Sequence, residues 1–323
     1  MKLYPLKFQP IFHYRIWGGN KLKSDLNKNY NESNVGESWE ISSVKNSETK
    51  VLNGDLKGFT LEKLINTYKE SFLGKHIFKQ FGNEFPLLIK FIDAKDPLSI
   101  QVHPNNELAE KRHNSFGKNE MWYVMQADKE SELIVGFNKE LTKNEYINAL
   151  EKGEVLNIMN SENVESGDTF YVPTGRVHAI GSGVLLAEIQ QTSNITYRIY
   201  DYDRVDAVTG EKRELHTDMA LDAIDFSLCE NYKTNYTTTL NVSNKLVHSP
   251  YFKTNILNLD KNMAKDYSAL DSFVIFICVE GSLELKYANK LYSLKKGETI
   301  LLPAAINSIE LITSDAKILE VFL

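Results

Sequence analysis

The sequence predicts a mainly β protein, two jelly-roll-like barrels with a few inserted α-helices, and three observations carry that prediction. Most of the 323 residues fall into short β-branched and aromatic runs cut by Gly, Pro, Asn and Asp. Gly167, Pro173, Gly175 and His178 follow the spacing Gly, five residues, Pro, one residue, Gly, two residues, His. That spacing encodes a tight turn, a short apolar strand, a Pro/Gly corner and an imidazole projected into a barrel. A degenerate copy returns in the tail, with Gly297, Pro303, Ala305 and Asn307.

In chain order, the first clear helix covers 60–73. Thr60 caps it, Leu61, Leu64, Ile65, Tyr68 and Phe72 share one face, and Gly74 stops it. The segment 97–109 is a strand in which Gln101 and His103, two apart, point one way while Ile100 and Val102 point the other. A second strand opens at Glu120 within 117–127. Thr142 and Glu145 form a capping box for a helix over about 142–152, closed by Gly153, and a shorter helix follows Thr217. The Asn- and Thr-rich stretch 230–244 separates a catalytic domain, 1–240, from a compact tail barrel, 241–323. The tail has no histidine beyond His248, so it is expected to bind no metal and to serve packing.

The formal charge of −6, from 37 basic and 43 acidic residues without long single-sign blocks, argues against nucleic-acid or membrane partners. Cys229 and Cys278 make neither a disulfide framework nor a thiolate metal site, which suits a reducing cytoplasm. The N-terminal segment is too polar for a signal peptide, and no apolar run approaches the roughly 18 residues of a membrane span.

Gln101, His103, Glu120 and His178 converge as a nitrogen and oxygen ligand set. Two imidazoles, a carboxylate and a weak amide oxygen suit a borderline divalent ion such as Zn²⁺ and leave room for water or substrate. The spacing around His178 is that of the second motif of a metal-binding cupin barrel, a superfamily that also holds dioxygenases, storage proteins and sugar sensors. Trp17, Trp39 and Trp122 read as core or pocket wall, and His13, His76, His113, His216 and His248 as structural or surface residues.

Several further motifs lie in order along nearly the whole chain: YRIWGG (14–19), GESWEIS (36–42), PLLIKFIDAKDPLSIQVHP (86–104), GKNEMWYV (117–124) and TYRIYDYDR (196–204). In them the chain resembles the short bacterial form of the type I mannose-6-phosphate isomerases. The resemblance implies one zinc ion per chain on His103, Glu120 and His178, with Gln101 an additional ligand in longer relatives. It makes Arg198 the active-site arginine and sets Lys90 and Lys118 in the substrate pocket, Arg198 and Lys118 being the catalytic pair. The implied reaction interconverts mannose 6-phosphate and fructose 6-phosphate through a cis-enediolate, in a cytoplasmic monomer or homodimer whose partner is a small sugar phosphate. Lys118, beside a metal ion and Arg198, is expected to have a lowered pKa that lets it carry a proton. The competing reading is a non-catalytic sugar-phosphate sensor on the same barrel.

Overall fold

The computed structural model describes residues 2–323, and their architecture follows from alternation along the strands. Six strands form an antiparallel sheet in the order Thr169–Val172, Glu120–Ala127, Val184–Gln191, Leu87–Ala94, Ile11–Gly19, Val35–Ile41. A second sheet runs Tyr197–Tyr200, Ile100–Val102, His178–Ile180, Glu132–Phe137, Met159–Asn163. The protein is mainly β, and these two sheets form its first, half-closed barrel.

The strands Val35–Ile41, Leu87–Ala94 and Val184–Gln191 of the larger sheet, and most of Glu120–Ala127, are buried on both faces, with different partners on each. Ile89, Phe91, Met121, Tyr123, Ala187 and Ile189 face outward into the largest apolar core, which they share with Leu61, Leu64, Phe72 and Ile77 of the helices and with Phe252, Phe273, Ile275 and Leu301 of the tail. Ile92, Trp122, Val124 and Leu186 face the other way, into the barrel, alongside Trp17 and Val135. In the smaller sheet Ile100, Val102, Tyr197 and Ile199 pack on a separate cluster with Tyr146 and Phe137. Residues that alternate with these are turned toward the barrel interior.

The tail strands pair in the order Asn244–His248, Lys253–Leu259, Ala316–Phe322, Val274–Tyr287, Ser308–Ile312, Met263–Asp266. This barrel is packed solid with Leu257, Phe276, Leu285, Leu294, Ile300 and Ile318 rather than hollow. The first part docks on it through a reciprocal backbone pair, Leu6 N to Leu301 O and Leu301 N to Leu6 O, both 2.8 Å.

The helix expected over 60–73 is broken. It runs Leu61–Tyr68, capped by Thr60 as anticipated, then Glu70–Leu73, with Lys69 between them at φ +48°. Gly74 ends the Glu70–Leu73 helix as expected, at φ +102°, and a third helix, Lys75–Phe81, follows at once. The glycine also makes room for the tail: a Cβ would sit 2.4 Å from the Asp271 carbonyl oxygen. Asp271, from the tail, then caps the third helix by accepting from Lys75 N (2.7 Å) and His76 N (3.0 Å). A helix at Asn106–His113, capped by Asn105, was not anticipated from the 97–109 reading. Lys143–Glu151 with its Thr142/Glu145 capping box and Thr217–Ala223 match expectation. No described helix is long and apolar enough to cross a membrane.

Candidate active site

Register brings the site together as two facing rows. In the smaller sheet Arg198 pairs with Gln101 and Gln101 with His178, so three predicted residues stand side by side. In the larger sheet Trp39 pairs with Lys90, Lys90 with Glu188, and Glu188 with Trp122. Between the rows lies a cavity of about 400 Å³ that both rows line, together with Arg15, Trp17, Glu37, Lys118, Asn194, Asp206 and Arg213. Its five basic side chains, Arg15, Lys90, Lys118, Arg198 and Arg213, outnumber Glu37, Glu188 and Asp206, which suits an anionic ligand.

His103, Glu120 and His178 are the one cluster among the described residues able to grip a metal ion, with ligand atoms all within 4.8 Å of one another. His178 Nε2 lies 3.3 Å from Glu120 Oε1, and His103 Nε2 lies 3.5 Å from Oε2. The outer ring nitrogens are tied down by backbone: His103 Nδ1 donates to Ile195 O (2.9 Å) and His178 Nδ1 to Arg176 O (2.8 Å). That fixes the tautomer and turns both Nε2 lone pairs inward, the preparation seen around metal-bound imidazoles. Burial pushes His103 down to about 3 and His178 downward as well, so both rings are neutral, as ligands must be.

Glu120 is wholly buried, and neither oxygen receives a properly aligned hydrogen bond. Burial alone would raise its pKa, but Lys118 and the two histidines hold it well below the usual carboxylate range. A buried carboxylate without an aligned hydrogen bond, beside two inward lone pairs, fits a divalent cation. Gln101 adjoins the cluster, its Nε2 lying 3.3 Å from His178 Nε2.

Lys118 reaches the cluster too, with Nζ 2.9 Å from Glu120 Oε2 and 3.0 Å from His103 Nε2. Here the expected lowering of its pKa is reversed among the protein's own groups. Burial favours the neutral amine, but the Glu120 and Glu188 carboxylates outweigh it and the net shift is upward. Arg198 is half-buried; Nη1 donates to Glu214 O (2.7 Å), while Nε is buried without a partner. Burial lowers its pKa from the ordinary guanidinium value, leaving a partly desolvated cation on the cavity wall. Tyr197 and Ile199 turn into the core, as the alternation requires.

Lys90 is buried, 3.0 Å from Glu188 Oε1, whose other oxygen accepts from Trp122 Nε1 at 3.0 Å. Sequence reasoning did not single out Glu188, Glu37, Arg15 or Arg213. For Glu188 the signal was a lone carboxylate inside the apolar run VLLAEIQQ, where an unpaired charge would be costly. Glu37 and Arg15 stood inside quoted motifs, whereas Arg213 lies in a loop and carries no local signal.

Residues 5–148 match the family model described as phosphomannose isomerase type I, catalytic domain, and residues 243–323 match the mannose-6-phosphate isomerase cupin domain. The chain is 37% identical over 315 residues to a mannose-6-phosphate isomerase of Bacillus subtilis, covering 96% of each. It is 34% identical over 309 residues to a mannose-6-phosphate isomerase of Streptococcus mutans, covering 94% of each. Its fold superposes on the crystal structure of the mannose 6-phosphate isomerase from Bacillus subtilis with a TM-score of 0.90 at 31% identity, over 99% of both chains. A phosphomannose isomerase mutant from Salmonella typhimurium shares the fold at a TM-score of 0.80 and 16% identity, over 98% of this chain and 99% of that one. Sequence, fold and the arrangement of the cavity thus agree that this chain belongs to the type I phosphomannose isomerase family.

Proposed function

We propose that this chain interconverts mannose 6-phosphate and fructose 6-phosphate through a cis-enediolate, with one Zn²⁺ held by His103, Glu120 and His178 and assisted by Gln101. The observation that carries this reading is an inward-facing metal cradle that meets, through His178, a cavity lined by desolvated cations. When bound, the ion supplies Lewis acidity toward the oxygens of an α-hydroxycarbonyl.

The remaining work falls to side chains. Arg198 cannot be a base, since a guanidinium stays protonated at any working pH. Its free donors face developing negative charge, on the substrate oxygen or the phosphate, without reorganising. Arg213, held by Asp201 through Nε at 2.8 Å, adds a second oriented cation at the same wall. Lys118, kept protonated by Glu120 and Glu188, serves as an acid that gives and regains a proton. Lys90 neutralises the buried Glu188 and orients it across the cavity from the metal cradle.

A coupled assay on zinc-replete protein with mannose 6-phosphate tests the reading. Turnover is expected. Tight binding of the sugar phosphate without turnover would instead identify a sensor.

A further inference from the structure

Opposite the metal cradle, the cavity wall is organised around one carboxylate that has been given no role so far. Glu37 lies on the strand Val35–Ile41 and turns to the same face as Trp39. Its Oε1 accepts from Arg15 Nε at 2.9 Å, and its Oε2 accepts from Arg15 Nη2 at 3.0 Å and from Trp39 Nε1 at 2.6 Å. Lys90 Nζ stands 4.0 Å from the same Oε2. All three donors line the cavity.

The indole of Trp39 is restrained from three sides. Glu37 holds its N–H, the His13 ring packs at 4.3 Å with an interplanar angle of 49°, and Lys90 Nζ lies over it at 5.1 Å. Arg15 is equally fixed, because Nη1 donates to Tyr14 O at 3.0 Å. Gly36 makes the arrangement sterically feasible: a Cβ there would meet Trp17 Cζ3 at 2.4 Å and Arg15 Cβ at 2.7 Å.

A buried arginine–carboxylate pair gains little stability over an apolar replacement, because desolvation offsets the attraction. Its value lies in geometry. Burial would raise the Glu37 pKa, but Arg15 and Lys90 depress it far below the usual carboxylate range, so the anchor stays charged at every working pH. A rigid indole and an oriented guanidinium on one cavity wall leave little ordering to be done when a sugar phosphate binds against them.

We propose that Glu37 is a positioning residue for substrate binding, holding the Trp39 indole and Arg15 rigid as the cavity wall against which the sugar phosphate docks. The proposal rests on the sugar-phosphate reading above and is tested separately from it. The only three tryptophans of the chain, Trp17, Trp39 and Trp122, all line the cavity, so intrinsic fluorescence reports on this site alone.

The test uses zinc-replete full-length protein, steady-state kinetics and fluorescence titration with mannose 6-phosphate. Glu37→Gln keeps the shape but presents an amide N–H₂ toward donors that need an acceptor. It is expected to raise KM about tenfold while kcat stays within about threefold, with zinc content unchanged and the ligand-induced fluorescence change diminished. In a Trp39→Leu/Arg15→Ala background the same substitution should have no further effect on KM. A wild-type KM in Glu37→Gln, or a full KM effect in that background, overturns the proposal. If Glu37→Gln fails to fold, Trp39→Phe removes the N–H that Glu37 holds together with part of the ring it positions, and must raise KM; an unchanged KM overturns it equally. If the wild-type protein binds mannose 6-phosphate without turning it over, the functional reading fails while the fluorescence titrations still decide the role of Glu37.

Discussion

Replacing Arg198 by alanine separates a catalytic cation from a structural one. On the folding side the change removes one hydrogen bond, to Glu214 O, worth about 1 kcal/mol. It also removes a buried Nε that has no partner, whose desolvation offsets part of that loss. The melting temperature should therefore fall by no more than about 4 °C. On the catalytic side the guanidinium faces charge that develops in the cavity. A unit charge about 4 Å away at an effective dielectric constant of about 20 contributes about 4 kcal/mol, and deleting a single preorganised donor typically costs about 3. At 1.36 kcal/mol per decade, kcat/KM should drop by a factor of about 10² or more. Arg198→Lys should recover little, because the ammonium keeps the charge but loses the planar fork. The assay is steady-state isomerisation of mannose 6-phosphate, with zinc content and thermal melting measured on the same preparations. Zinc should be unaffected, since Arg198 stands outside the His103, Glu120 and His178 cluster. Near wild-type kcat/KM in Arg198→Ala would remove the residue from the chemistry, and loss of fold or metal in step with activity would show the role to be structural.

Three other outcomes follow from the same geometry. Purified protein should carry about one divalent ion per chain, and His103→Ala or His178→Ala should lose both ion and activity, because few protein ligands remain to hold it; elemental analysis checks this. The same measurement should find no second equivalent surviving in His103→Ala, since Ala305 and Asn307 replace the motif residues in the tail and its interior is filled with apolar side chains. Acid should weaken the tail barrel through Glu320. Burial would raise this carboxyl, but Lys265 (2.7 Å), Asn255 (2.9 Å) and Tyr267 hold it below its ordinary 4.5. A depressed folded pKa contributes stability that is present above about 4.5 and lost as pH falls below it, so denaturation midpoints should decline there and less steeply in Glu320→Gln.

Local chemistry along the chain was enough to specify the strand-rich class, the capped helices at Thr60 and Thr142, the short helix from Thr217, and the inward direction of Gln101, His178 and Arg198. Those features depend on a period of two, on a capping side chain three residues from its target, or on a glycine at a tight turn, all contained within a few residues. The candidate metal cluster of His103, Glu120 and His178 was legible for the same reason, each residue sitting in a motif whose spacing sets its direction. Tertiary structure decided what no short window contains. Gly74 reads as a helix stop and does end the helix Glu70–Leu73, but no short window shows that Asp271 of the tail approaches it or that another helix follows to Phe81. The pKa of Lys118 was expected to fall beside a metal ion and Arg198; among the protein's own groups the net shift is upward, owing first to Glu120, two positions away, and then to Glu188, 70 positions away along the chain, which the fold brings across the barrel. Glu37 became the anchor of a wall only when the pairing of Val35–Ile41 with Leu87–Ala94 brought it near Lys90 and the adjoining strand supplied Arg15. Charge pairing in a desolvated interior depends on distances of a few ångströms between distant segments, and only the folded sheet register sets those distances.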